Sequence, residues 1–211
     1  KYAFQFSKML DSRLPVTFID GRSPLPQFDY VEADNRLGME LIINHLEQLG
    51  HRRIGFACCQ IITQCVEERL HFFREILTER ELAFEPALLQ VSHLANDEGG
   101  EDAGYKLLAL REPPTAIVGS NDLAAVGVMR AAKAQQIKCP QKLSVVGFDD
   151  LEISAHLEIP LTTVRQPINE IGQMAVQTLL DRIRGKQQSG QATSCILPPE
   201  LVIRSSTGSA A

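Results

Sequence analysis

The stretch that decides the fold is Thr115-Ala116-Ile117-Val118-Gly119-Ser120-Asn121-Asp122, a short apolar run that ends in two polar residues. The apolar run is typical of a buried strand, and Asn121-Asp122 is a good cap for a helix that continues to Ala134. The pattern returns at Leu143-Ser144-Val145-Val146-Gly147, which ends at Phe148-Asp149-Asp150. A buried strand that leads into a capped helix predicts a β-α unit.

The same alternation extends outward from this stretch in both directions. It predicts an α/β fold in which parallel sheets are flanked by helices. Besides the two strands above, the predicted strands are 15–19, 53–57, 88–91, 161–164 and 201–203. The predicted helices are 37–49, 64–81, 99–110, 122–134, 169–184 and a short one from Leu151.

Length and composition limit the classes of protein to consider. The chain has 211 residues, a net charge of -5 and 44% hydrophobic residues, which indicates one large globular domain or two small ones. The negative charge argues against a general nucleic-acid surface on this chain, and no apolar run is long enough to span a membrane. Five cysteines without a C-x-x-C pair favour reduced thiols in a cytoplasmic protein. Their spacing fits no standard zinc site, and we expect neither a metal nor a cofactor.

Candidate binding residues follow the predicted strands, because ligands of open α/β sheets bind at the carboxyl ends of the strands. These positions are Asp20, 58–64, Ser92-His93, Ser120-Asn121 and Phe148-Asp149. Asp, Asn, Ser and His offer both donors and acceptors, which suits a neutral polyol. A phosphate would favour a Gly-rich loop, and the chain contains neither G-x-x-x-x-G-K-[ST] nor G-x-G-x-x-G.

Each of these residues also has a purely structural interpretation. Asn121 can act as a helix cap alone, and Asp149-Asp150 can form a turn before the next helix. Arg69 follows two glutamates on a helix that looks exposed, so a solvated or ion-paired arginine is the simpler expectation. No G-x-S-x-G or H-E-x-x-H motif indicates an enzyme.

Four blocks of sequence, in this order, resemble the LacI/GalR family of bacterial transcription regulators. They cover most of the chain, and together they are specific. The blocks are Asp34-Asn35 to Gly38 with 45–56, then 114–129, then 143–150 with 160–167, and finally 199–207.

The resemblance implies a two-lobed effector domain, similar to periplasmic sugar-binding proteins, whose chain crosses three times between the lobes. Residues 1–30 and 165–197 would form part of the N-lobe, and 31–164 with 198–207 the C-lobe, followed by a tail at 208–211. The first β-α units of the N-lobe and the DNA-binding headpiece would lie outside this chain. Operator DNA is therefore an expected partner only through that headpiece.

The resemblance also implies the binding residues. It places Arg69, Asn121 and Asp149 on the C-lobe wall of an effector cleft, and Asp20 on the N-lobe side. An arginine fork and a carboxylate can each hold neighbouring hydroxyls through two hydrogen bonds, so a sugar or sugar derivative is the expected effector.

The chain departs from the family pattern near that cleft. Cys59 stands where a glycine is common, Phe72 replaces a small residue, and His93 stands where an aromatic ring commonly stacks on the ligand. With Phe148, these three are further candidate contacts. Loss of the stacking ring leaves the sugar unidentified and keeps a nucleoside or purine as an alternative.

The expected function is allosteric control of operator binding by a homodimer, without a membrane partner. The resemblance implies that the dimer forms through the C-lobe, with Val126 and Met129 as candidate contacts; core packing is the alternative for both. A periplasmic sugar-binding protein is the alternative function, and the five unpaired cysteines count against it. A small α/β enzyme is a third interpretation.

Overall fold

The computed structural model describes residues 14–21, 28–59, 63–82, 84–186 and 192–210. The chain divides into two compact units, which are described separately. Unit 1 contains Lys1–Ala33 and Pro167–Leu197, and unit 2 contains Asp34–Gln166 and Pro198–Ala211. The chain therefore passes between the units three times, after Ala33, Gln166 and Leu197.

The helices and strands alternate along most of the chain. The strands are β1 (Thr17–Ile19), β2 (Asp29–Ala33), β3 (Ile54–Cys58), β4 (Leu89–Val91), β5 (Ala116–Gly119), β6 (Ser144–Asp149), β7 (Thr162–Arg165), β8 (Ser194–Leu197) and β9 (Glu200–Val202). The helices are α1 (Asn35–Gln48), α2 (Gln64–Glu79), α3 (Asn96–Leu108), α4 (Asp122–Ala134), α5 (Glu152–His156) and α6 (Ile168–Ile183), with a 3-10 turn at Pro86–Leu88.

Unit 2 is built on a six-stranded sheet with the order β4-β3-β5-β6-β7-β9. Its strands are parallel except β9, which runs antiparallel to β7. Side chains alternate between the two faces of a strand, and the two cores follow this alternation. Val118 and Val146 pack with α1 and α2, whereas Ile117 and Val145 pack with α3 and α4. The predicted α/β fold, with a parallel sheet between helices, is confirmed.

Unit 1 contains a three-stranded parallel sheet with the order β1-β2-β8. Its core is small and joins Val31 and Ala33 of β2 to Ile171 and Ala175 of α6. The buried carboxylate of Asp29 accepts hydrogen bonds from the guanidinium of Arg182 and from the backbone N–H of Thr193. This ion pair ties the start of β2 to the end of α6.

The structure places the unit boundaries differently from the sequence prediction. The predicted boundary at residue 31 falls inside β2, whose Val31 and Ala33 pair with Cys195 and Leu197 of β8. Residues 31–33 therefore belong to unit 1. Residues 165–166 remain in unit 2, because Arg165 pairs with Glu200 at the end of β7.

The prediction of a tail from residue 208 is wrong for the described residues 208–210. The carbonyl oxygen of Gly208 lies 3.0 Å from Nε2 of the buried His51, and the N–H of Ala210 donates to the carbonyl of Leu49. His51 also contacts the hydroxyls of Thr115 and Ser144. These bonds hold the end of the chain against unit 2.

Candidate functional site

Arg69 of α2 lies at the centre of the candidate site in unit 2. Its side chain is only 2% exposed and pairs with Asp149, so of the two structural expectations the solvated arginine is wrong and the ion-paired one is confirmed. Nε donates to Oδ1 of Asn35 at 3.0 Å, and Nη1 donates to the carbonyl of Ser120 at 3.1 Å and to Oδ1 of Asp149 at 3.2 Å. Three separate segments of the chain thus hold one guanidinium, a geometry that suits the planar donor fork of arginine.

The ring of Phe148 supports this guanidinium. Cζ of Arg69 lies 3.7 Å from the centre of the ring, within the range of a cation–π interaction. Gly38 of α1 leaves space for the ring, because a Cβ there would lie 2.6 Å from it. Phe148 is completely buried, so its predicted role as a ligand contact is corrected to a support for Arg69.

Asp149 lies in a backbone turn that is unusual for residues other than glycine. Asp149 has φ 120° and Asp150 has φ 56°, conformations that typically cost about 1–3 kcal/mol each. The carboxylate of Asp150 forms ion pairs with Arg165 and Arg204, which hold the turn in place. Oδ1 of Asp149 also accepts a hydrogen bond from Nε2 of Gln166 at 2.8 Å. The turn is therefore restrained from several sides, as expected at a binding site.

Asp122 restrains the same turn from inside the protein. Its buried carboxylate accepts hydrogen bonds from the N–H of Leu151 at 2.7 Å and from the hydroxyls of Ser154 and Thr163. Burial, together with the charge of Asp149, raises the pKa of Asp122 to about 6 against the opposing effect of these bonds. Asp122 thus anchors α5 and β7 to the first residue of α4.

Asn121 has the capping role that the sequence indicates. Its Oδ1 accepts a hydrogen bond from the N–H of Ala124 at 2.8 Å, at the start of α4. The preceding residue, Ser120, is the one whose carbonyl binds Arg69, so Asn121 directly follows a residue that contacts the guanidinium. A ligand contact by Asn121 stays a prediction.

Of the three positions that depart from the family pattern, the structure brings one to this cluster. Cys59 is buried, and its Sγ lies 3.8 Å from the hydroxyl of Ser120. Among the described residues, Phe72 packs against the core and below Arg36, and His93 is exposed, so neither is seen to contact Arg69 or Asp149. Residues 60–62 of the predicted strand-end segment lie outside the described residues.

Asp20 belongs to unit 1, where it directly follows β1. Its N–H donates to the carbonyl of Val31 at 3.1 Å, and its φ is 55°. Within the described part of the chain, its buried Oδ1 has no hydrogen-bond partner. Asp20 is therefore a strand-end carboxylate in a restrained backbone conformation, and its ligand role stays a prediction.

Asn35 and Gln166 are site residues that sequence reasoning missed. Asn35 directly follows Asp34, the residue whose carboxylate caps α1, and is itself 4% exposed. A helix needs only one N-cap residue, and Asp34 already has that role. The additional polar side chain of Asn35 was therefore the sequence signal for a second role. Gln166 stands immediately before Pro167 and showed no comparable signal.

A second surface of unit 2 is an apolar groove, here called the α4–α5 groove, with a volume of about 560 Å³. Val126 and Met129 both line it, although Val126 is nearly buried and Met129 also packs against the core. Core packing therefore holds in part for both residues, and a dimer contact by them stays a prediction. The other lining residues are Arg130, Lys133, Gln136, Ile137, Lys138, Cys139, Gln141, Ile153, Leu157, Glu158 and Ile159.

The described residues offer little for metal or thiol chemistry. No group of three or more His, Cys, Asp or Glu side chains among them could hold a metal ion. All five cysteines are free, and burial raises the pKa of the Cys58 thiol to about 11. None of the helices in the described ranges is long and apolar enough to cross a membrane.

Comparison with known proteins agrees with this architecture. The model of the periplasmic binding protein-like domain family matches residues 43–207. The HTH-type transcriptional regulator reg1 of Streptomyces lividans is 37% identical over 202 residues, which cover 93% of this chain and 57% of that protein. The chain thus spans somewhat more than half the length of this curated relative.

Two solved structures show the same fold. The transcriptional regulator CelR–cellobiose complex has a TM-score of 0.86 and 28% identity, over 95% of this chain and 61% of that one. The lac repressor dimer bound to operator and the anti-inducer ONPF has a TM-score of 0.82 and 26% identity. The match covers 97% of this chain and 70% of that one. The chain belongs to the periplasmic binding protein-like domain family, and it resembles the matching part of LacI-type transcriptional regulators.

Proposed function

We propose that this chain binds a sugar or sugar derivative and thereby controls the operator-DNA binding of a cytoplasmic, non-catalytic regulator. The observation that carries the proposal is the buried Arg69 guanidinium paired with Asp149 near the carboxyl ends of β5 and β6. Support comes from the regulators that resemble the chain, one of which is solved as a cellobiose complex.

The hydrogen bonds of Arg69 explain why hydroxyl groups suit this site. Nε and Nη1 are used within the protein, whereas Nη2 has no hydrogen-bond partner among the described residues. Nη2 carries two N–H groups, so it can donate to ligand oxygens. A hydroxyl both accepts and donates, and one hydroxyl can accept from Arg69 while it donates to Asp149.

A ligand panel on the full-length natural protein tests this proposal. The panel contains neutral sugars (ribose, glucose, galactose and cellobiose), ribose 5-phosphate, and nucleosides. A neutral sugar at 100 times its dissociation constant should stabilise the protein by about 2.7 kcal/mol, measured as a shift in thermal unfolding. The same sugar should change the recovery of genomic DNA fragments bound by the protein. A panel without any shift, or a shift with the nucleosides alone, would contradict the proposal.

The proposed regulator is a homodimer that uses the α4–α5 groove of unit 2 as its contact surface. Ile153 in this groove is 51% exposed, although it is a large apolar residue. Apolar surface of this kind marks a contact site in soluble proteins. A second copy is the proposed occupant, because the lac repressor, which this chain resembles, is solved as a dimer.

A charge in the groove is expected to separate the two copies. Ile153→Glu should raise the dissociation constant of the dimer at least about tenfold, equivalent to 1.4 kcal/mol, measured by sedimentation equilibrium. Tyr105→Glu is the matched control, because Tyr105 is an exposed ring on α3 and does not line the groove. Equal dissociation constants for the two variants would rule out the groove as the dimer contact.

A further inference from the structure

A continuous series of hydrogen bonds joins two of the three places where the chain passes between the units. Asn35 lies just after the first crossing, and its Oδ1 accepts from Nε of Arg69 at 3.0 Å. Nη1 of Arg69 donates to Oδ1 of Asp149, and the same oxygen accepts from Nε2 of Gln166 at 2.8 Å. Gln166 is the last residue before the second crossing. We call Asn35, Arg69, Asp149 and Gln166 the crossing relay.

The first end of the crossing relay is held firmly. Nδ2 of Asn35 donates to Oε2 of Glu68 at 3.0 Å, which fixes the amide so that Oδ1 faces Arg69. Asp34, the first residue after the crossing, caps α1 by accepting from the N–H of Leu37 at 2.9 Å. A shift of Arg69 therefore changes a bond to the first turn of α1.

The second end is held by secondary structure on both sides. Gln166 directly follows β7, whose last residue Arg165 pairs with Glu200. Pro167 follows, and its carbonyl accepts from the N–H of Ile171 in the first turn of α6. A shift of Asp149 therefore changes a bond to Gln166, one of the two residues between β7 and α6.

We propose that Asn35 and Gln166 are positioning residues that couple the Arg69–Asp149 site to the first and second crossings. The inference rests on the proposed function, because a bound hydroxyl would compete for the donors of Arg69 and the oxygens of Asp149. A change in those bonds alters the bonds to Asn35 and Gln166 at the same time. Coupling between sites is reciprocal, so we expect a perturbation at one crossing to be detectable at the other.

Hydrogen exchange without any ligand tests the crossing relay. Gln166→Ala in the full-length protein should speed the exchange of backbone amides in residues 34–38 several-fold, measured by mass spectrometry. Asp149→Ala should have the same effect, because it breaks the relay at its centre. Gln166→Ala should then add nothing further at residues 34–38 in the Asp149→Ala background.

Glu200→Gln is the matched control for the second crossing. Glu200 accepts a hydrogen bond from Arg165, the neighbour of Gln166, and among the described residues it is not bonded to a member of the crossing relay. The pair of Arg165 with Asp150, which holds the turn of Asp149, stays intact in this variant. Exchange in residues 34–38 should not change in this variant. Exchange in β5 should not change in this variant, in Gln166→Ala or in Asp149→Ala. A general loss of stability would speed exchange throughout unit 2 instead.

Two results would overturn the proposal: unchanged exchange at residues 34–38 in Gln166→Ala, or an equal increase in Glu200→Gln. The measurement needs no sugar, so its failure is distinguishable from failure of the proposed function. A ligand panel without hits contradicts sugar binding alone. Unchanged exchange beside a successful panel contradicts the crossing relay alone.

Discussion

Asp149→Ala will weaken binding of the sugar at least about 100-fold while unit 2 stays folded. The carboxylate pairs with the buried guanidinium of Arg69, and its removal takes away both a charged acceptor for ligand hydroxyls and the partner of Arg69. Hydrogen bonds to charged groups contribute about 1.5–3 kcal/mol, and a 100-fold loss corresponds to about 2.7 kcal/mol. Titration calorimetry measures the affinity, and circular dichroism checks the fold.

Two further variants make this result specific. Asp149→Asn keeps the shape of the side chain but removes the charge, so a smaller loss of about tenfold is expected. Asp102→Ala removes a partly exposed carboxylate that pairs with Lys106 on α3, and it should bind the sugar like the natural protein. Unchanged affinity in Asp149→Ala would remove Asp149 from the site.

Asp122→Asn will change how the stability of the protein depends on pH. Burial raises the pKa of Asp122 from an ordinary value of 3.8 to about 6. A raised pKa means that ionisation opposes folding, so the contribution of this group is fully present below pH 3.8 and is lost as the pH rises through about 6. A difference of about two pH units corresponds to about 3 kcal/mol.

Comparison of the natural protein with Asp122→Asn across pH 4–7 isolates this effect. The free energy of unfolding of the natural protein, measured in urea, should contain a decrease between pH 4 and pH 6 that Asp122→Asn lacks. His45 and His51 act in the opposite direction in both proteins, because burial lowers the pKa of each ring and their contribution is lost as the pH falls below 6.5. Ser154→Ala, which removes a partner but keeps the carboxyl group, should retain the decrease. Parallel curves for the natural protein and Asp122→Asn would contradict the prediction.

Local sequence signals were sufficient for the β5–α4 and β6 segments. The apolar runs and the Asn121 cap act over a few residues, and the structure contains both strands and the capping bond to Ala124. The strands β2 and β8 were not predicted. β2 contains the buried carboxylates of Asp29 and Glu32, and β8 has an alternating pattern with exposed residues. β2 and β8 form strands because they pair with each other. They are far apart in the sequence, so a local pattern of residues does not predict this pairing.

The sequence by itself determined the alternating α/β fold, the family, and the polar residues that end the strands, because each depends on short patterns of apolar and capping residues. Only the tertiary structure decided the state of Arg69, which is buried although its neighbours in sequence, Glu67 and Glu68, suggested a solvated face. The partners that make this burial possible are Asn35, the Ser120 carbonyl and Asp149, and they come from three distant segments. A buried charge is stable only when such partners surround it, so long-range packing places it there.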